Sequence, residues 1–321
     1  MPDNPVAPPK IKAAKKMRDL MTTYYLEALG AAQNNRQVAW ITSGGPVEPL
    51  VAMDIIPVYP ENHGAMIGSA KMGEDLCAKA EDMGYSPDLC AYARSDIACA
   101  VVKGGPIGGL PKPDMLICCN NICGTVLKWY EIQARYFQVP LFILDTPVCH
   151  TGYTPEIADY VKAQVNEYIA FLEQVTGKKM DPDKMNEVGR LSYEGQRLWQ
   201  QVLNTTAHKP SPMSAFDAFF FLALIVTLRG TQIAVDFYKE LIDELAQRIK
   251  DGIGVVPNET FRLLWDNLPV WHRLKWLSDR FSAHQACLVA DTYTSAWCSA
   301  LTHIDENNFL DSMAEAYTRI Y

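Results

Sequence analysis

Residues 115–137 read MLICCNNICGTVLKWYEIQARYF, and this stretch decides the fold. Met115-Leu-Ile-Cys-Cys119 is a short, unbroken apolar run closed by Asn120-Asn121, the pattern of a strand buried on both faces. From Gly124 to Phe137 the period changes. Val126, Leu127, Tyr130, Ala134 and Phe137 fall near one face of a helix. A doubly buried strand that feeds straight into a helix is one βα unit of a parallel sheet.

Working outward, the same alternation recurs. Val38-Ala-Trp-Ile-Thr42 reads as a strand ending in the turn Ser43-Gly-Gly-Pro46. Ile55 to Tyr59 reads as a second strand, stopped by Pro60-Glu61-Asn62, and Leu141 to Leu144 as a further one. Helices are expected over Lys10–Ala31, Glu48–Met53, Gly73–Met83 and Asp88–Val102, with Gly104 to Gly109 a flexible loop. Short connections between alternating elements imply a mostly parallel, doubly wound sheet.

From Thr154 the texture becomes helical. Long helical patterns run over about 182–203 and 212–250, the second split near Gly230, and a β signal returns only at Cys287-Leu-Val-Ala290. The expected class is therefore α/β: two Rossmann-like domains with mostly parallel sheets and a helical segment between them. Residues 1–150 form the N-terminal α/β domain, 151–254 the helical segment and 255–321 the start of a second α/β domain. One strand does not make a stable sheet, so that last domain reads as truncated or completed by a partner.

The composition is that of a globular protein, 49% hydrophobic and 21% charged, with a formal net charge of -8. The acidic balance argues against a nucleic-acid or anionic-membrane surface. No apolar run is long enough to span a bilayer. The start of the chain has basic residues with no apolar core behind them, so it does not read as a secretory signal. The expected location is cytoplasmic.

Several chemistries fail on spacing. No glycine pattern follows a strand as a phosphate cradle requires, and the loop 104–109 follows a helix. Ser43 does not stand in a G-x-S-x-G elbow, and neither His63 nor His150 has the spacing of a triad partner. Cys119 and Cys123 have zinc-like separation, but no second pair follows.

The cysteines are more informative. Seven of the nine lie between Cys77 and Cys149, and a disulfide framework does not suit a cytosolic chain of this size. Cys123 falls just past a strand at the start of a helix, and Cys90 opens another helix after Ser86-Pro-Asp88. Helix starts offer free N–H donors and a favourable dipole to a thiolate or an anionic cluster. Cys118 and Cys119 alternate across a strand, so at most one of them can face such a cluster. By pattern alone the pair Cys90 and Cys123 reads either as half of an iron–sulfur cage or as ordinary thiols.

Tyr59-Pro-Glu-Asn62, Glu81-Asp-Met-Gly-Tyr85, Cys90-Ala-Tyr-Ala-Arg94, Cys118-Cys-Asn-Asn-Ile-Cys123 and Lys128-Trp-Tyr-Glu131, in this order, resemble the 2-hydroxyacyl-CoA dehydratase and benzoyl-CoA reductase family. The likeness is strongest to the α-type dehydratase subunit. It is dense over about 38–150 and looser to the end of the chain. The resemblance implies a heterodimer with a related second iron–sulfur subunit, each subunit carrying a [4Fe–4S] cluster on three cysteines. It also implies a separate ATP-dependent activator, itself an iron–sulfur protein, that injects one electron. An acyl-CoA substrate is then reduced to a ketyl radical, which in dehydratases expels the 2-hydroxyl. In the benzoyl-CoA branch a similar activation reduces an aromatic ring.

Carried over by motif, the resemblance makes residues 1–150 the cluster-binding domain and gives Cys90 and Cys123 as cluster ligands. It gives Glu61 as the active-site carboxylate and Ser43 as a hydroxyl near the substrate carbonyl, with His63 lining the site. The family's third ligand lies in a later Arg-Ser-Cys-Lys motif, expected beyond Tyr321, so the chain reads as a fragment or its cluster as differently ligated. Three functions are consistent with these residues: a dehydratase subunit, a benzoyl-CoA-type reductase subunit, and a non-catalytic electron-transfer protein of the same fold.

Overall fold

The computed structural model describes residues 9–147 and 154–319; Cys149 and His150 lie outside the described residues. In chain order, α1 (Ala13–Leu29) leads to β1 (Val38–Ile41), α2 (Glu48–Ala52) and β2 (Ile56–Val58). Three helices follow, α3 (Pro60–Ser69), α4 (Gly73–Asp82) and α5 (Ala91–Val102), then β3 (Met115–Cys119), α6 (Gly124–Phe137) and β4 (Leu141–Leu144). A helical stretch comprises α7 (Pro155–Thr176), α8 (Pro182–Asn204), α9 (Ala215–Thr227) and α10 (Gln232–Lys250). The remainder is β5 (Phe261–Trp265), α11 (Leu274–Ala283), β6 (Ala286–Asp291), α12 (Thr292–Ser295) and α13 (Phe309–Arg319). No helix among the described residues is long and apolar enough to cross a membrane.

The chain divides into two compact units. One comprises Thr23–Ser192 and the segment from Ala300 on; the other comprises the chain up to Thr22 and Tyr193–Ser299. The first holds a four-stranded sheet of order β2-β1-β3-β4, every pair parallel, with Val38 opposite Ile56, Trp40 opposite Leu116 and Ile117 opposite Phe142. The middle strands β1 and β3 are buried along their whole length, as their unbroken apolar runs require. Trp40, Val58, Leu116, Val126, Trp129 and Tyr130 form the core on one face. Trp40 meets Phe137 edge to face, with ring centres 5.1 Å apart. Strand order runs outward in both directions from the β1–β3 pair, so the sheet has a topological switch between their C-terminal ends. In open α/β sheets that crevice is where ligands bind.

The second unit has two parallel strands, with Phe261 opposite Ala286 and Trp265 opposite Asp291. Its core sets Ala215, Phe219 and Leu288 against Phe216, Trp265, Trp271 and Tyr293. Helix α9 is apolar almost all round, which marks a buried helix. It starts on a capping box in which Ser214 and Asp217 each satisfy the other's backbone. Gly230, at φ 82, separates it from α10, which Thr231 caps.

Three elements differ from the expectation. Strand β5 carries no β signal in the sequence, because Phe261, Leu263 and Leu264 are exposed and show no alternation of apolar and polar residues. Pro60 has the pattern of a stop, yet it opens α3, the first helical turn being where proline's missing N–H costs nothing. Helix α13 is not among the expected elements, although Phe309, Met313, Ala314 and Tyr317 recur at helical spacing and are buried on one face; tertiary contact fixes its place, the Phe309 ring lying where a Cβ on Gly189 would stand, with the ring's Cγ 2.0 Å from that position.

Candidate functional site

The residues expected to carry chemistry gather at the C-terminal ends of the strands in the first unit. Ser43 follows β1, Glu61 follows β2 in the first turn of α3, and Cys123 follows β3. The backbone N–H of Ser43 donates to Glu61 Oε1 at 3.1 Å, and the Ser43 hydroxyl donates to Asn62 Oδ1 at 3.4 Å. Thr42 ties the two central strands together here: its N–H donates to the Ile117 carbonyl at 3.1 Å, and its hydroxyl accepts from the Cys119 N–H at 3.2 Å. From the distant end of the unit, Tyr317 donates to the Gly44 carbonyl at 2.9 Å, so α13 braces the loop that carries Ser43.

The second oxygen of Glu61 accepts from the Tyr130 hydroxyl at 3.1 Å. Burial pushes the Glu61 carboxyl up to about 7, and the negative Asp96 adds to the rise. Hydrogen bonds from the Ser43 amide and Tyr130, together with its own backbone N–H, pull it partly back. A carboxyl that gains and loses its proton near neutrality suits general acid–base work. Burial, with Glu61 beside it, keeps the Tyr130 phenol protonated far above its ordinary range, so Tyr130 is the donor.

Behind Glu61 lies a polar cluster that sequence reasoning missed. Asp96, on α5, is 1% exposed. It accepts from Trp129 Nε1 at 2.8 Å and Gln133 Nε2 at 2.7 Å, both on α6, and lies 3.5 Å from His63 Nδ1 on α3. A buried carboxylate is tolerable only when donors surround it, and α6 and α3 supply them. The available signal is the lone acid in the otherwise apolar Ser95–Val102 stretch, together with the Lys128-Trp-Tyr-Glu131 block. Helix α3 comes close enough to take part because residue 64 is glycine: a Cβ there would stand 2.9 Å from the Tyr92 ring. His63 is turned from Glu61 toward Asp96, and with Trp40, Cys99 and Lys103 it lines a separate cavity of about 520 Å³.

Cys90 and Cys123 occupy the N-cap positions of α5 and α6, both exposed and neither making a side-chain cap bond. Cysteine is a poor cap beside Ser, Thr, Asp or Asn, so these positions leave first-turn N–H groups free to face an anion. The other described thiols of the region differ. Cys99, Cys118 and Cys119 are buried. Burial pushes Cys99 up to about 12 and moves Cys118 in the same direction, which marks them as packing residues. Cys77, half-buried, lies beside α5 with its sulfur 3.7 Å from the Ala91 carbonyl. Among the described residues no three His, Cys, Asp or Glu side chains converge to hold a metal ion. Of the ligands a cluster would need, the described residues offer two exposed thiols on helix starts, and no third donor converges with them into a metal-holding group.

The family model described as "2-hydroxyglutaryl-CoA dehydratase, D-component" matches residues 42–321. The (R)-2-hydroxyisocaproyl-CoA dehydratase alpha subunit of Clostridioides difficile is 37% identical over 97% of this chain and 76% of its own length. The (R)-phenyllactyl-CoA dehydratase alpha subunit of Clostridium sporogenes is 34% identical over 92% of this chain and 73% of its own. A benzoyl-CoA reductase chain of Thauera aromatica is 28% identical over 87% of this chain and 68% of its own. The chain belongs to the 2-hydroxyglutaryl-CoA dehydratase D-component family and is homologous to dehydratase alpha subunits.

Proposed function

We propose that this chain is the alpha-type subunit of a 2-hydroxyacyl-CoA dehydratase. It would remove water from an (R)-2-hydroxyacyl-CoA through a ketyl radical after ATP-driven one-electron activation. The observation that carries this reading is Glu61, half-buried at the C-terminal ends of the strands, with one carboxyl oxygen bonded by the Ser43 amide and the other by the Tyr130 hydroxyl, and with its carboxyl pushed up to about 7. In its protonated form Glu61 hands a proton to the departing 2-hydroxyl, which leaves as water. The Ser43 hydroxyl turns from Asn62 to donate to the substrate carbonyl oxygen as charge builds there.

Cys90 and Cys123 would hold a [4Fe–4S] cluster in part, with their free helix N-termini favouring its negative charge. When bound, such a cluster supplies low-potential one-electron chemistry, and the protein contributes binding, orientation and exclusion of water. The partners in this reading are a second related iron–sulfur subunit and an ATP-dependent activator. Each of the two parallel sheets is read as belonging to a Rossmann-like domain, and the protein as cytoplasmic.

The test is steady turnover by the subunit pair with its activator and ATP. Conversion of a 2-hydroxyacyl-CoA to the enoyl-CoA, with none of benzoyl-CoA, is expected. Turnover of benzoyl-CoA alone would assign the chain to the reductase branch. A cluster without thioester turnover of either kind would leave an electron-transfer protein.

A further inference from the structure

We propose that Tyr130 is the positioning residue of Glu61, and that the Lys128-Trp-Tyr-Glu131 block exists to present it. The proposal rests on the reading of Glu61 given above. Glu61 is gripped at both oxygens, by the Ser43 amide at 3.1 Å on Oε1 and by the Tyr130 hydroxyl at 3.1 Å on Oε2. The amide is fixed by the backbone at the end of β1. The hydroxyl is fixed only as well as the rotation of α6 about its axis is fixed.

Asp96 supplies that constraint. It bonds Trp129, the neighbour of Tyr130, and Gln133, one turn on from Trp129. Two anchors four residues apart lie on one helix face, so the pair pins α6 to α5 in a single rotational setting. Tyr130 is itself completely buried, with its ring 5.9 Å from that of Trp129. The phenol therefore arrives at Glu61 with little freedom left, and the carboxyl is held in one orientation toward the strand ends.

The same grip sets the proton inventory. The titratable groups facing Glu61 are Tyr130 on α6, Asp96 on α5 and Cys118 on β3; His63, on its own helix, faces Asp96. Of these, only Tyr130 donates a hydrogen bond to the carboxylate, and a bond to the ionised form lowers the pKa. Asp96 acts in the opposite direction through its charge. Removing the hydroxyl alone should thus raise the Glu61 pKa.

The experiment is infrared titration of the Glu61 carboxyl stretch, assigned by its loss in Glu61→Gln, in the intact protein and in Tyr130→Phe. The expected result is a midpoint about one pH unit higher in Tyr130→Phe, a tenfold change in the proton equilibrium. The alkaline limb of the pH–rate profile should move the same way, and kcat should fall about tenfold with KM little changed. An unmoved infrared midpoint overturns the proposal. The infrared reading needs no turnover, so the two claims fail separately. A shifted midpoint with turnover indifferent to Glu61→Gln would sink the catalytic role of Glu61 and leave the positioning intact.

Discussion

At the C-terminal end of β3 the next helix begins on Cys123, and at the C-terminal end of β6 it begins on Asp291. Both strands are parallel and both feed a helix, yet the caps differ. Asp291 accepts from the N–H of Thr294 and also bonds its hydroxyl, as a good N-cap does. Ser214 and Thr231 in the same unit, and Thr154 in the other, cap their helices in the same manner. Cys90 and Cys123 do not. Where the second unit uses its strand end for stability, the first leaves a helix start open and puts an exposed thiol on it. The first unit also places Glu61 in surroundings that raise its pKa. Departures of this kind collect where a protein gives up stability for function.

The largest expected effect lies at Glu61. Glu61→Gln should lower turnover by about 10²–10⁴-fold, the range for loss of a general acid, in a kcat assay of the assembled enzyme. The same variant carries a stability signature. A raised carboxyl pKa contributes stability below the unfolded value, and that contribution is lost as pH rises through about 7. Denaturant unfolding should therefore show a smaller decline between about pH 5 and about pH 8 in Glu61→Gln than in the parent. An identical pH dependence would contradict the raised carboxyl pKa of Glu61.

Next in size is Asp96→Ala. It leaves the buried Trp129 and Gln133 donors unmatched and should cost about 3 kcal/mol by denaturant midpoint. A cost near zero would mean that the Asp96 cluster is not holding α5, α6 and α3 together. Gly189→Ala sets a methyl group into the Phe309 ring and should cost about 1–3 kcal/mol, mainly by loosening α13 and its bond to the loop beside Ser43.

The smallest effects bear on the caps themselves. Asp291→Ala should cost about 1 kcal/mol. Cys123→Ser supplies an oxygen cap, so in metal-free protein it should gain up to about 1 kcal/mol. A loss on Cys123→Ser would erase the contrast between the two strand ends.

Much of this is legible in the sequence for physical reasons. The runs at Val38–Ile41 and Met115–Cys119 are apolar throughout because the strands are covered on both faces, and that pattern survives without any structure. Cys90 and Cys123 announce themselves by standing at helix starts. What escapes reading depends on partners distant in sequence. Phe261–Trp265 is a strand only because β6 pairs with it. Phe309 starts a helix against a glycine 120 residues earlier. Asp96 looks like a misplaced charge until α6 brings it Trp129 and Gln133. Pro60 illustrates a local ambiguity: the same residue ends a strand and opens a helix, and only the following turn shows which matters.

The central claim is that the poorly capped cysteines hold iron. Its most direct test is anaerobic iron and sulfide analysis of the full-length protein beside Cys90→Ser, Cys123→Ser and, as a buried control, Cys99→Ala. The expected result is a brown parent protein, loss of most iron and sulfide in the first two variants, and retention in the third. A colourless parent without iron, or unchanged iron in both Cys90→Ser and Cys123→Ser, would contradict it.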